Sequence, residues 1–381
     1  MRLSLLTLLL LGCVVRHGAP IPAGTPSTQV DWVGLKDYPF ESRFLAVDGG
    51  QMHYIDEGKG EPVVFVHGTP SWSYEWRGLV SALRADHRCI AMDHIGFGLS
   101  EKPAAWGYKP EDHARNLDAL LTRLDLRDIT LVVHDFGGPI GLSYALAHPE
   151  RVKRVVVINS WMWSLSDNSQ AQKADKLLRG PLGPLLYKDR NLSPRRLMPW
   201  ALKGELSEAE AAAALGPFPT PESREGLYQM GLGLVGSSAW YDGLWGQRDK
   251  LSATPMLVVW GEADPTFSVN DMARWRAAFP AATVVPLPEV GHWPQITAPE
   301  ATLRALQAFL APPPPPEAPK PLEPQPVKVP EAPKPLEPQP VKVPEAPKPL
   351  EPQPVKVPEA PKPLEPQPVK VPEPAPAPKG G

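Results

Sequence analysis

Eight short apolar runs alternate with amphipathic stretches over the first 310 residues, and this alternation constrains the fold more than any other feature. The patterning predicts strands at 44–47, 51–56, 62–66, 88–92, 130–133, 152–158, 256–260 and 283–286, with Gly49-Gly50 turning the first pair. Most are continuous apolar runs, as expected of strands covered on both faces. Helical periodicity falls between them, over 74–84, 111–124, 138–147, 272–278 and 300–310. Strands that alternate with helices imply an α/β chain with a doubly wound, mostly parallel sheet. The alternation stops over 164–250, which is rich in Ala, Leu, Gly and Trp and carries no strand pattern. An insertion of that kind between two sheet strands reads as a helical cap.

The ends of the chain cannot join this core. Of 52 prolines, 28 follow Leu310, and a 14-residue unit, PEAPKPLEPQPVKV, repeats four times over 316–371. Each unit has two Glu and two Lys and too little apolar surface to pack, so it should be disordered or extended as polyproline II. At about 3.1 Å per residue the tail reaches roughly 200 Å. It reads as a solvated spacer; the sharper alternative is a ligand for a proline-binding module or a cell-envelope partner. At the other end, Met1-Arg2 precedes an apolar run over 3–11, the pattern of a secretion signal. Leu10-Leu11-Gly12-Cys13 resembles a lipobox, in which Cys13 is lipidated and attaches the chain to a membrane. The alternatives are a plain secretion signal or a cytoplasmic chain that starts further downstream. The divisions are therefore a signal at 1–13, a linker at 14–30, core at 31–163, cap at 164–250, core at 251–311 and the tail at 312–381.

A net charge of -3 argues against nucleic acid as a partner and suits a small-molecule substrate. The two cysteines, Cys13 and Cys89, form no metal-type cluster, and no metal or organic cofactor is implied.

The chemistry concentrates at Val132-Val133-His134-Asp135-Phe136-Gly137-Gly138. An apolar strand runs into a tight turn flanked by glycines and then a helix, the strand–elbow–helix context of a hydrolase nucleophile. The slot holds Asp135, not Ser or Cys. A carboxylate is ionised without a base and can displace a leaving group from a saturated carbon, giving an alkyl–enzyme ester. Water activated by a histidine then attacks the carboxyl carbon of that ester. The base is expected at His292, in Glu289-Val290-Gly291-His292 after the last strand. The carboxylate that orients it is expected at Asp264, in Gly261-Glu262-Ala263-Asp264, with Glu262 the weaker competitor. The order nucleophile, acid, base matches this architecture. His67-Gly68-Thr69-Pro70 follows another strand, and there the backbone N–H groups of Thr69 and Phe136 are placed to meet developing negative charge. Asp93-His94-Ile95-Gly96-Phe97-Gly98-Leu99-Ser100 fits a glycine-rich loop of structural value.

Together these motifs resemble the haloalkane dehalogenase family of α/β-hydrolases, from Tyr38-Pro39-Phe40-Glu41 to Leu310, including Met52-His53-Tyr54-Ile55-Asp56-Glu57-Gly58 and Ser71-Trp72-Ser73-Tyr74. The resemblance implies an α/β-hydrolase fold and displacement of halide. Val133 also looks like that family, since epoxide hydrolases more often place Gly there. Two departures stand out. The family holds the leaving halide with an indole N–H directly after the nucleophile, where this chain has Phe136, and often with Asn where this chain has Thr69. Losing such a donor costs about 2.7–4 kcal/mol of transition-state stabilisation. Trp161, Trp163, Trp200, Trp240 and Trp245 are candidate substitutes. The Asn159 position, Glu in other members, supports Asp264 as the acid. Two alternatives remain open: an epoxide hydrolase using the same Asp with Tyr187, Tyr228 or Tyr241 as ring-oxygen donors, and a non-catalytic scaffold displayed on the cell envelope.

Overall fold

The computed structural model describes residues 37–311. The expected signal, lipidated Cys13, linker and repeat tail lie outside the described residues.

The eight strands are β1 (Arg43–Val47), β2 (Gly50–Glu57), β3 (Pro62–Val66), β4 (Arg88–Met92), β5 (Ile129–Asp135), β6 (Val152–Ser160), β7 (Met256–Gly261) and β8 (Thr283–Leu287). They form one sheet in the order β1-β2-β4-β3-β5-β6-β7-β8. β1–β2 and β2–β4 pair antiparallel and every other pair is parallel. The chain winds outward from β3 to β4, then crosses back to β5 and winds the other way. β3 and β5 therefore flank the switch point, where the loops at the strand C-termini part and leave a crevice.

Helices cover both faces: α1 (Arg77–Leu83) and α11 (Pro299–Leu310) on one, α2 (Pro110–Arg123), α3 (Gly137–Ala147) and α9 (Val269–Ala278) on the other. The two-residue period of the strands divides their side chains between two cores. Val64, Val66, Leu131, Val133, Val155 and Val157 join the α2–α3 side, and Val63, Phe65, Val132, Val156 and Ile158 join the α1–α11 side. The continuous apolar runs follow directly from burial on both faces.

Element ends differ from the sequence pattern by one to three residues, for local reasons. The α9 helix starts at Val269 rather than 272 because Ser268 caps it, its hydroxyl accepting from Asn270 N at 3.3 Å while Asp271 reaches back to Ser268 N at 2.8 Å. The run expected as helix over 74–84 opens with a buried 3-10 turn, Ser73–Trp76. The stretch over 164–250 holds α4 (Ser169–Arg179), α5 (Met198–Leu202), α6 (Glu208–Leu215), α7 (Glu225–Gly236) and α8 (Ser238–Trp245), with two single π-turns between α4 and α5. A small apolar cluster of Met198, Ala201, Leu202, Ala214 and Trp293 ties α5 and α6 to the loop after β8.

Close approach at the β5–α3 junction forces a glycine. A Cβ on Gly137 would collide with the carbonyl oxygens of Val66 and His67, and backbone cannot swing aside. By contrast, Gly78 in α1 and Gly243 in α8 face open space. Gly78→Ala and Gly243→Ala should each raise stability by about 0.5–1 kcal/mol, since Gly is the costlier helix residue. Gly137→Ala should lower it by about 1–3 kcal/mol through overpacking. Urea midpoints at constant slope measure all three; a Gly137→Ala protein as stable as its parent would refute the close-approach argument.

Candidate active site

Asp135 ends β5 with φ at 50°, in the left-handed region that a non-glycine residue occupies only when its surroundings hold it there. The pairing of β5 with β6 slips at this point, from His134 opposite Ile158 to Asp135 opposite Ser160. Ser160 Oγ donates to the Asp135 carbonyl at 2.5 Å. The turn lifts the side chain off the strand and against Gly68, where a Cβ would overlap the carboxylate. Asp135 is 5% exposed.

His292 arrives on the loop after β8. Its N–H donates to Ala201 O at 2.9 Å and its carbonyl accepts from His134 Nε2 at 2.8 Å. Its Nε2 lies 3.4 Å from Asp135 Oδ2 and its Nδ1 lies 2.6 Å from Asp264 Oδ2. Asp264 follows β7 and is held by Asn159 Nδ2 at 2.9 Å and Thr266 N at 2.6 Å. The fold thus brings Asp135, His292 and Asp264 together from three strand ends, and Asp264 rather than Glu262 faces the imidazole.

Burial opposes charge here, and neighbours overrule it. Burial alone would push the Asp135 carboxyl up; the hydrogen bond and charge of His292, the charge of His134 and the Phe136 N–H hold it below the ordinary carboxylate range. For His292, burial works downward, but the charge of Asp264, hydrogen bonds to Asp135 and Asp264 and the charge of Asp135 carry it up to about 10. The three side chains thus stand in one row, with the imidazole between the two carboxyl groups.

The backbone N–H of Thr69 donates to Asp135 Oδ1 at 2.9 Å, and that of Phe136 faces the same carboxylate. Both N–H groups expected to meet negative charge thus lie on the carboxyl group of Asp135 itself. The Thr69 loop is pinned from below by buried Asp93, which accepts from Ser73 N at 2.8 Å, Leu99 N at 2.8 Å and His53 Nδ1 at 2.9 Å.

The five candidate tryptophans separate. Trp200 is 54% exposed beneath the Lys203 ammonium. Trp163 and Trp245 pack edge to face and share the Arg274 guanidinium, 4.5 and 5.0 Å from their ring centres. Trp240 is partly buried against Tyr241. Trp161 alone packs on Phe136, edge to face at 4.9 Å, and it also stacks on Phe267, which neighbours His292. Trp161 is fully buried and its indole N–H has no acceptor. Trp76 and Trp260 share that lack of an acceptor, but neither contacts Phe136 among the ring contacts of the described residues. The Thr69 hydroxyl is likewise buried without a partner. Of the three tyrosines, Tyr228 and Tyr241 donate to the carbonyls of Leu178 and Gly233 at 3.1 and 2.9 Å. Tyr187 is pushed up to about 12 by burial and the charge of Asp135.

Pattern reading missed Asn159 as the clamp on Asp264, and it missed Glu75, a buried carboxylate 3.3 Å from His134 Nδ1. The first sits on a strand end named only for what it lacks; the second sits in an apolar helical run with no motif. An open cleft of about 370 Å³ beside the His292 loop, lined by Leu202, Lys203, Glu205, Glu210, Glu289 and Thr297, does not reach Asp135. Among the described residues no group of His, Cys, Asp or Glu is arranged to hold a metal ion.

A family model described as alpha/beta hydrolase fold matches residues 61–299. The chain is 35% identical over 282 residues to a cis-3-alkyl-4-alkyloxetan-2-one decarboxylase of Shewanella oneidensis, covering 71% of this chain and 89% of that protein. It is 32% identical over 271 residues to haloalkane dehalogenase 2 of Mycobacterium tuberculosis, covering 71% and 94%. The crystal structure of a haloalkane dehalogenase from Bradyrhizobium elkani superposes with a TM-score of 0.64 at 29% identity, covering 71% and 97%.

The raised His292 pKa links the site to stability. Its folded value near 10 lies above the free value of 6.5, so protonation contributes stability that is fully present below pH 6.5 and is lost as pH rises through about 10. Across that window the melting temperature of the parent should fall further than that of Asp135→Asn, which lacks one of the charges that raise His292. Equal pH slopes for the two proteins in a thermal scan would rule out the coupling.

Proposed function

This chain belongs to the α/β-hydrolase fold family, within its haloalkane dehalogenase-like branch, and from that membership we propose that it hydrolyses carbon–halogen bonds with Asp135 as nucleophile. The observation that carries the reading is a single ionised carboxylate at the elbow, oriented by the Thr69 N–H and set 3.4 Å from a histidine that is itself clamped by Asp264.

In the first step an Asp135 oxygen attacks the saturated carbon, the carbon–halogen bond breaks, and the electron pair leaves with the halide. Asp135 becomes a neutral alkyl ester. Two of the influences that raise His292, the hydrogen bond and the charge of Asp135, vanish with that charge. Burial then gains on the remaining pull of Asp264, and the imidazolium releases its proton to solvent, where it accompanies the departing halide. In the second step neutral His292 takes a proton from water, which attacks the carboxyl carbon of the ester. The oxyanion forms where the Thr69 and Phe136 N–H groups already point. Collapse frees the alcohol and restores the Asp135 carboxylate beside protonated His292. Trp161 N–H and the Thr69 hydroxyl are the unpaired buried donors best supported for the departing halide.

A second reading is favoured by the Shewanella oneidensis relative, named for decarboxylating an oxetan-2-one. Asp135 would open the lactone ring at its saturated carbon–oxygen bond, leaving an ester with a carboxylate two carbons away. Loss of CO₂ then moves its electron pair into a carbon–carbon double bond and expels Asp135, with no water consumed. Opening an epoxide needs acidic hydroxyls, and two of the three candidate tyrosines are committed to backbone carbonyls. The kinship to hydrolytic enzymes leaves the scaffold reading without support.

His292→Phe separates the two readings. With a short bromoalkane it should form an ester on Asp135 that persists, seen as an intact-mass increase and mapped by peptide mass. With a cis-dialkyl oxetan-2-one it should continue to release alkene. No adduct in the variant and no halide or alkene from the parent would reject Asp135 as nucleophile for both substrate classes. Separately, Trp161→Phe should slow alkylation by about 10²–10³-fold, as loss of one anion-stabilising donor does, while Trp260→Phe leaves it within about twofold. Equal rates in the two variants would remove Trp161 from the leaving-group site.

A further inference from the structure

Behind the nucleophile and base lies a second buried acid–base group that the reaction above does not use. Glu75 is 2% exposed, in the 3-10 turn before α1. One carboxylate oxygen accepts from Ser71 Oγ and from Trp293 Nε1, the latter at 3.2 Å. The other lies 3.3 Å from His134 Nδ1, in proximity but without the geometry of a hydrogen bond. The three partners come from different segments around the site: the Thr69 loop, the end of β5 and the loop after β8. Ser71 also donates to Gly68 O at 3.3 Å, in the loop whose Thr69 N–H meets Asp135. His134 directly precedes Asp135 and, through its other nitrogen, holds the carbonyl of His292 at 2.8 Å. Trp293 directly follows His292, with their rings perpendicular and 4.5 Å apart.

We propose that Glu75 is a positioning residue for His292, a buried carboxylate that holds the base loop in register with the nucleophile. Nucleophile and base do not depend on it equally. Asp135 is fixed by its own strand, by Ser160 and by the Thr69 N–H. His292 stands on a loop, and two of the contacts that place it, His134 on its carbonyl and Trp293 beside it, converge on Glu75. Loosening that loop displaces the imidazole from the line of attack and leaves the carboxylate where it was. A displacement of about 1 Å costs on the order of 10²-fold.

This proposal rests on the two-step reading, and it makes the steps respond differently. In Glu75→Gln, and in Trp293→Phe should the first fold poorly, ester hydrolysis should fall at least about tenfold while alkylation by a bromoalkane stays within about threefold. Alkyl–enzyme should accumulate in single-turnover quench experiments read by intact mass. Leu79→Ala, a cavity in the same packing layer, should lower stability without that split. A parallel fall of both steps in Glu75→Gln, or no change in either, overturns the proposal. A second readout needs no substrate. The proton between His292 Nδ1 and Asp264 should give a low-field NMR resonance, assigned by its loss in Asp264→Asn. It should shift upfield or broaden in Glu75→Gln if the loop loosens, and an unaltered resonance refutes the positioning role even where bromoalkanes prove not to be substrates.

Discussion

A carboxylate forced out of the end of a buried strand organises everything else in this molecule. The side chain of Asp135 can leave the plane of the sheet only because its backbone turns left-handed, and that turn survives only between glycines that permit contact. The strain is of order 1–3 kcal/mol. It is held by the parallel strands on either side, by the Ser160 hydroxyl on the Asp135 carbonyl, and by the helix that starts immediately after it. The switch of winding between β3 and β5 opens the crevice into which the carboxylate projects.

Charge inside that crevice is balanced rather than avoided. An isolated carboxylate so deeply buried would take up a proton and lose its reactivity. His292, with its own carboxylate behind it, keeps Asp135 ionised, and Asp135 in turn helps keep His292 charged. The same reciprocity gives the proposed reaction its timing. The imidazole is least basic after the nucleophile has been neutralised by alkylation, which is when a base is needed. Outer contacts surround the trio: Asn159 clamps Asp264, Asp93 pins the Thr69 loop, and Glu75 lies among Ser71, His134 and Trp293.

The departures at Phe136 and Thr69 take their meaning from what surrounds them. Phe136 fills the place of a donor, yet a fully buried indole with an unpaired N–H packs against its face. Thr69 gives its backbone N–H to Asp135 and leaves its hydroxyl without a partner. Two unsatisfied buried donors, one on Thr69 and one on the indole packed on Phe136, are costly in a closed interior unless an acceptor visits them.

The sheet, its winding and the trio Asp135, Asp264 and His292 were legible in the chain because their signals are local. Strands buried on both faces must be apolar throughout, an elbow must be flanked by glycines, and the trio follows strand ends in a set order. Element ends moved by up to three residues where a cap or a bulge intervened, the start of α9 at Ser268 and the end of β6 at Ser160. What stayed hidden depends on side chains far apart in sequence. Five tryptophans look alike along the chain; only folding decides that Trp161 meets Phe136 while Trp163 lies under Arg274. Nothing in the run Ser73-Tyr74-Glu75-Trp76 marks Glu75, because its neighbours lie far off in sequence, at the end of β5 and on the loop after β8. Sequence determined the architecture and the placing of Asp135 at the elbow, through periodicity and turn chemistry that act over a few residues. Tertiary structure alone decided which buried donors stay unpaired and which carboxyl group comes to lie beside His134 and Trp293, since burial and pairing are set by distances in space that no local pattern encodes.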